Sequence, residues 1–478
     1  MKGNSKKNFA YNLLYQLFIL ITPLVTAPYI SRVFGPEGVG LYSFNYSIAT
    51  YFVYFCLLGI NNYGVREIAK CQTREERHQT FSNVYYTQLM VSLFVVLIYT
   101  LYLFSLTGSK FVVALCFVPY VISGLLDINW FFFGTERFAV TTIRNCIVKI
   151  LLIIFVFLLI SKKEDVWIYC LIISLAALLT QIIMWFSFLK TEKLVKPDTS
   201  QFWKHLKGLI ILFVPVLAVS LYRIMDKIML GFLSSNNQVG YYENAEQIIS
   251  VPGTITTALG ISMLPRMTSV LSSNEERKFD ILFRNSVFFV EFICFPMAFG
   301  VLAVSDVFIP LYYGQDFFYS SNILKILCIS FAFASLASVL RTQYLIPKNK
   351  DKIYIGSVIC GACVNLIINA ILIPALDGIG AAIGTVVANA VVAIYQFVFV
   401  FKEYKNVKSY LLGLPFILFG FLMYLTVVLV SSFLKFDGLG LFLIQILIGS
   451  ISYIIFAFPF LFYAKKKNRG KQIKGIVY

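Results

Sequence analysis

"LYRIMDKIML", Leu221 to Leu230, puts Arg223, Asp226 and Lys227 within five residues of one another inside an apolar run that extends from Gly208 to Leu233. Such a run is long enough to cross a bilayer about 30 Å thick. A charge near the bilayer centre costs at least about 2.5–3.5 kcal/mol even on the lenient insertion scale. If the run is a membrane helix, three charges on it need a reason.

The rest of the chain decides that it is one. The chain has 478 residues, 59% hydrophobic, 17% aromatic and only 13% charged, with a mean hydropathy of +0.81. A soluble chain of this length would carry charged faces on its helices. Apolar runs of about 20 residues instead recur from end to end, so the fold class expected is an all-α polytopic membrane protein. Hydropathy and loop punctuation predict about fourteen spans, the first a retained helix following Lys2, Lys6 and Lys7 and interrupted by Pro23 and Pro28.

With the N-terminus inside, 31 of the 40 Lys and Arg residues fall in cytoplasmic segments and five in outside segments. That asymmetry satisfies the positive-inside rule and predicts that both termini are cytoplasmic. It also accounts for most of the net charge of +17. Charges spread over eight short loops do not form one basic face, so nucleic-acid binding is not expected.

The spans repeat. "VGLYSFN" from Val39 is echoed by "VGYYENA" from Val239, "LGI" at Leu58–Ile60 by Leu259–Ile261, and "FSN" from Phe81 by "FRN" from Phe283. Six spans separate the copies, an even number, which predicts a parallel repeat about an axis along the membrane normal. The expected organisation is an N-lobe at 1–190 (helices 1–6), a basic linker at 191–207, and a C-lobe at 208–402 (helices 7–12). Helices 13–14 and a basic tail occupy 403–478. No segment outside the membrane is long enough for a soluble catalytic domain.

Several motifs resolve to packing. Cys360 and Cys363 form a CxxC inside "GSVICGACVNLIINA", with no second pair and no nearby His, and read as small residues between helices. "GIGAAIG" (Gly378 to Gly384) lacks the order of a dinucleotide loop, and no phosphate-binding P-loop is present. The two histidines, His78 and His205, are assigned to cytoplasmic loops, so a metal centre is not expected.

The intramembrane charges remain. Arg223, Asp226 and Lys227 at i, i+3 and i+4 share one face of a helix. Asp226 neutralises one cation and leaves one over. A structural ion pair is the plain alternative, but a pair alone would not need the third charge, which favours a cavity lining. Surplus cations in a dry cavity suit an anion, and phosphate is the usual match for Arg. Lys149 fits either snorkelling or a cavity, Lys325 fits snorkelling, and Asp127 fits a helix end. Tyr241, Tyr242, Tyr312 and Tyr313 are candidates to stack on sugar.

"APYISRVFGPEGVGLYSFNYSI" (27–48), "LLGINNYGVREIAK" (57–70), "DINWFFFGTERF" (127–138) and "DKIMLGFLSSNNQVGYY" (226–242) carry a resemblance. Together they resemble the bacterial polysaccharide repeat-unit flippases of the multidrug/oligosaccharidyl-lipid/polysaccharide exporter superfamily. The resemblance implies 6 + 6 + 2 helices in a bacterial plasma membrane. It implies alternating access that moves an undecaprenyl-diphosphate-linked glycan from the inner to the outer leaflet, surrounded by membrane lipids. A glycan polymerase machinery would then build O-antigen, capsule or teichoic-type polymers.

On that reading Arg223, Lys227, Lys149, Arg66 and Arg32 are the candidate diphosphate and glycan contacts. Relatives that flip cell-wall precursors carry several Arg in their first two helices. This chain has only Arg32 and Arg66 there, near helix ends, which moves the expected anion site toward Arg223. Some relatives hold sodium with an acid, an amide and a hydroxyl on helices 7, 11 and 12. Asp226, Asn365 and Thr385 have those types on those helices, so Na+ or H+ is the expected coupling ion and no other cofactor is expected. A cation-coupled multidrug exporter of the same fold is the alternative, although its cavity would favour acids. A membrane-embedded glycan polymerase is a further one, disfavoured by outside loops of about 4–10 residues.

Overall fold

The structure is a computed structural model that describes residues 5–403, 413–434 and 436–473. Lys2, Lys405, Lys408, Lys435 and Lys474, counted above among the loop cations, lie outside the described residues. Among those described, all regular structure is helical. Eleven helical stretches are long and apolar enough to cross a membrane, and two of them contain a sharp kink joining two helices. The chain is a polytopic all-α membrane protein. It divides into two compact units, Met1–Gly240 and Tyr241–Tyr478.

The first unit contains α1 (Ser5–Leu57), α2 (Ile60–Lys70), α3 (Arg74–Leu103), α4 (Gly108–Cys116), α5 (Val118–Leu125), α6 (Asn129–Gly134), α7 (Phe138–Leu159), α8 (Val166–Thr191), α9 (Phe202–Leu233) and the first residues of α10 (Asn236–Ser272). In α1 the chain folds back at Gly35, with φ 67°, directly before Pro36. Only glycine adopts that conformation cheaply, and proline cannot continue the preceding helix. The core of the unit is aromatic: Phe81 stacks between Phe188 (ring centroids 4.2 Å) and Trp130 (5.2 Å). Gln88 accepts from Trp130 Nε1 (3.2 Å) and donates to the Gly124 and Asp127 carbonyls (3.1 and 2.9 Å), which ties the loop before α6 into the bundle.

Helix α9 packs against α1, α2 and α3. The approach is too close for side chains. A Cβ on Gly59 would lie 2.6 Å from the Leu212 backbone, and one on Gly231 would lie 2.0 Å from the Phe44 ring.

The second unit contains the rest of α10, then α11 (Glu276–Tyr313), α12 (Tyr319–Leu340), α13 (Asp351–Glu403), α14 (Pro415–Phe433) and α15 (Gly438–Ile473). α11 packs on α12, α14 and α15, and α12 on α13. α13 folds back at Asp377, with φ 52°, three residues after Pro374. A one-turn π-helix, Arg341–Leu345, closes α12.

One turn occurs in both units. Arg137 N donates to Phe132 O and Lys350 N to Leu345 O, each at 2.8 Å. The preceding residues, Glu136 and Asn349, have φ 57° and 55°. Asp127 accepts from Asn129 N (2.8 Å) at the start of α6, the helix-end role expected of it. Lys325 is held by Asp306 (2.6 Å), which also accepts from Ser321 (2.8 Å).

Candidate functional site

Arg223, Asp226 and Lys227 lie in the C-terminal half of α9, in the first unit. Asp226 is buried at 2% exposure, Lys227 is half-buried and Arg223 is exposed. The helix turns this stripe toward tyrosines of α1. Tyr51 is within electrostatic reach of Asp226 and next to Ser220, and Tyr54 is within reach of Arg223, Lys227 and Tyr120.

Tyr120, on α5, continues the aromatic surface. Its ring lies 5.2 Å from Tyr46, whose ring stacks at 5.6 Å on Tyr42. The Tyr120 hydroxyl donates to the Tyr46 hydroxyl at 3.4 Å. Cations and phenols therefore share one region of the first unit. Guanidinium and ammonium groups bind phosphate, and half-buried tyrosines offer flat faces and hydroxyls to polar, ring-shaped ligands.

The other expected residues are distributed differently. Arg66 stacks on Tyr63 (5.6 Å) and lies 3.5 Å from Glu67 on the surface of α2. Tyr63 packs on Gly208. From Gly208 to Arg223, fifteen residues at 1.5 Å each span about 22 Å of α9, so Arg66 is not part of the stripe. Arg32 is exposed, three residues before the Gly35 kink. Lys149 is half-buried on α7, within electrostatic reach of Cys146.

Asn365 and Thr385 belong to the second unit, on the two arms of α13. Asn365 is fully buried and accepts from Asn369 Nδ2 at 3.2 Å. Thr385 is bonded to the Tyr242 hydroxyl at 2.8 Å. Gly384, its neighbour, leaves room for no side chain, because Asn369 lies against it across the kink. Asp226 is in the other unit.

Two expectations are corrected. His205 is not in a loop: it is a buried residue of α9, 2.8 Å from the Tyr63 hydroxyl, and His78 is on α3. Tyr242 and Tyr313 are 1% and 0% exposed and cannot stack on a sugar, because they pack inside the second unit.

Two buried charges escaped the sequence reading. Arg144 is 6% exposed and donates to Asn145 Oδ1 (2.7 Å), Asn129 Oδ1 (3.2 Å) and Thr180 O (3.2 Å). Glu192, the residue that ends α8, has its side chain 1% exposed with Arg137 at 2.8 Å, His78 at 2.9 Å, and Arg74 and Arg77 each at 3.6 Å. Burial alone would raise its pKa, but the His78 hydrogen bond and the Arg77 and Arg137 charges outweigh it and hold the carboxyl below its ordinary value. Arg144 offered no clear signal, because it lies in the polar stretch Thr141–Asn145. Glu192 had none, since an acid in a basic linker reads as solvated.

Comparisons with known proteins agree with the fold. A protein of Escherichia coli (strain K12) named as an O-antigen transporter is 23% identical over 408 residues, covering 84% of this chain and 97% of that one. A Haloferax volcanii protein named as the low-salt glycan biosynthesis flippase Agl15 is 26% identical over 170 residues, covering 36% of each. The structure of a lipid II flippase MurJ in an inward closed conformation superposes with a TM-score of 0.79 at 19% identity, over 96% of this chain and 99% of that one. The family model described as polysaccharide biosynthesis protein matches residues 5–271, more than half of the chain. The chain belongs to the polysaccharide biosynthesis protein family.

Proposed function

We propose that the chain is a flippase for lipid-linked oligosaccharides, carrying an undecaprenyl-diphosphate-linked repeat unit from the inner to the outer leaflet by alternating access. The observation that carries the proposal is the α9 stripe: Arg223 and Lys227 lie within reach of Tyr54, with the Tyr42–Tyr46–Tyr120 surface beside it. The cations match a diphosphate and the tyrosines match sugar rings. The names of the relatives, an O-antigen transporter and a glycan flippase, support the same substrate class.

The orientation proposed has both termini cytoplasmic, with twelve helices in lobes at 1–190 and 208–402 and helices 13–14 at 403–478. Asp226, in the first unit, is proposed to serve a coupling ion, Na+ or H+. At about 100 mV, negative inside, export of two negative charges is favoured by roughly 4–5 kcal/mol. If Arg223 and Lys227 neutralise the cargo, the field instead drives return of the cationic empty carrier.

The test is transfer of a labelled undecaprenyl-diphosphate oligosaccharide across proteoliposomes. Wild type is expected to transfer label, and the Arg223→Ala/Lys227→Ala variant to lose about tenfold or more, the scale of removing charge-assisted contacts. Equal transfer by both proteins would overturn the anion site. No transfer of any glycan by folded wild type would overturn the flippase.

A further inference from the structure

The segment Glu192–Gln201 joins α8 to α9, and in sequence it reads as a basic linker between lobes. In the structure it is strapped along one stripe of α3. Val195 N donates to Ser82 Oγ (3.1 Å), Gln79 Nε2 donates to Lys196 O (3.1 Å), and Asp198 N donates to Asn83 Oδ1 (2.7 Å). Gln79 is itself fixed by Asn83 Oδ1 at 3.0 Å. Residues 78, 79, 82 and 83 lie on one face of α3, and all four touch the linker or its first residue.

Both ends of the strap are pinned. At the start, Glu192 draws together Arg74 and Arg77 of α3 and Arg137 from the turn before α7. Arg137 and Arg74 also bond to Thr191, at its hydroxyl (3.1 Å) and its carbonyl. At the far end, Asp198 caps the turn Thr199–Gln201, and α9 begins at Phe202. His205 is then held by Tyr63, Leu209 and Leu212 by Gly59, and Gly231 by Phe44. A flexible tether needs neither a buried carboxylate nor hydrogen bonds at Val195, Lys196 and Asp198.

From this geometry we infer that the linker is a fixed strap and that Glu192 is its positioning residue, holding α9, and with it Arg223, Asp226 and Lys227, on the first unit. Without the carboxylate, three guanidinium groups converge with no counter-charge between them, and mutual repulsion separates the ends of α3, α7 and α8. The strap then loses its anchor, and the stripe its register. The effect on transport rests on the reading of that stripe as the cargo site. The strap itself does not.

Hydrogen exchange on the full-length protein, followed by mass spectrometry, tests the strap without any cargo. The Val195 and Asp198 amides are expected to exchange about 100-fold or more slowly than an open chain, and to accelerate in Glu192→Gln. Open-chain rates in wild type would overturn the strap. Glycan transfer then tests the positioning role: Glu192→Gln is expected to lose about tenfold, as a site does when its support loosens.

A short bifunctional thiol cross-linker between Gln79→Cys and Lys196→Cys is expected to restore transfer in the Glu192→Gln background and to leave it unchanged in the wild-type background. Cross-linking that abolishes wild-type transfer would overturn the inference, because the linker would then have to move. Accelerated exchange with undiminished transfer would overturn the positioning role. Should Glu192→Gln not fold, wild-type exchange and wild-type cross-linking decide. If wild type transfers no glycan, the flippase reading fails while exchange still judges the strap.

Discussion

The turns at Phe132–Arg137 and Leu345–Lys350 share a backbone and differ in what surrounds them. In the first unit the cation after the turn, Arg137, meets a carboxylate that is 1% exposed and shared with Arg74, Arg77 and His78. In the second unit the corresponding Lys350 meets Glu403 at 2.7 Å, with both side chains about a third exposed. Lys348 there bonds to the Tyr344 hydroxyl (3.1 Å) and lies over the Tyr344 and Phe279 rings. One backbone thus supports a buried acid among cations in one unit and an open Lys–Glu pair with a ring-packed lysine in the other. The difference follows from what must be held. The first cluster anchors the strap that leads to α9, and burial makes its ion pairs hard to break.

That contrast gives the largest effect to look for. Glu192→Ala is expected to destabilise by about 1.5–3 kcal/mol, the scale of losing hydrogen bonds to charged partners that stay partly exposed. Glu403→Ala is expected to cost no more than about 1 kcal/mol, since an exposed pair contributes little. Thermal unfolding of the two variants in detergent measures both. Equal losses would show that burial does not distinguish the two clusters.

The two clusters should both gain stability as pH rises, but in widely separated windows. Glu192 has its pKa held down in the folded protein, so its stabilisation is present above the ordinary carboxylate range and is lost as pH falls through the lowered value. Lys348 also titrates below its ordinary 10.5, chiefly because burial disfavours the ammonium, although Glu403, Asp280 and Glu276 oppose it. The folded state therefore binds this proton less well than the unfolded chain, and stability rises as pH climbs from the lowered value toward 10.5. The melting advantage of wild type over Glu192→Gln should shrink as pH falls below the ordinary carboxylate range. Wild type should gain on Lys348→Met as pH rises toward 10.5. A profile that is flat in either window would mean that the group's folded environment does not shift its titration.

How much of this was legible depended on contrast with the background. Arg223, Asp226 and Lys227 stood out because charges are rare in an apolar run. The kinks at Gly35 and Asp377 were legible too, because "FGPEG" and "ALDGIG" punctuate runs that are otherwise continuous. Glu192 and Arg144 were hidden for the opposite reason: each lies among polar residues, and periodicity cannot tell a solvated acid from one buried by three distant arginines. His205 was hidden because α9 extends through residues that read as loop. The tyrosines beside the stripe come from α1 and α5, and only tertiary packing selects them from the 29 in the chain. Local chemistry was readable; the partners supplied from far along the chain were not.

The smallest effect concerns the shared backbone itself. Glu136 and Asn349 both adopt the left-handed region. There Cβ crowds the following carbonyl, at roughly 1–2 kcal/mol for most residues, while Asn relieves part of that cost through local hydrogen bonding. Glu136 bears the fuller cost. Glu136→Asn is therefore expected to stabilise by about 0.5–1 kcal/mol, and Asn349→Glu to destabilise by the same amount. The Glu136 side chain plays no part in the Glu192 cluster, so the exchange isolates the backbone from the charges. If the two substitutions shift the melting temperature in opposite directions by similar amounts, the turns are equivalent as backbone, and everything that distinguishes the clusters lies in the side chains around them. If Glu136→Asn destabilises, Glu136 holds its turn through its own side chain, and the two turns are alike only in shape.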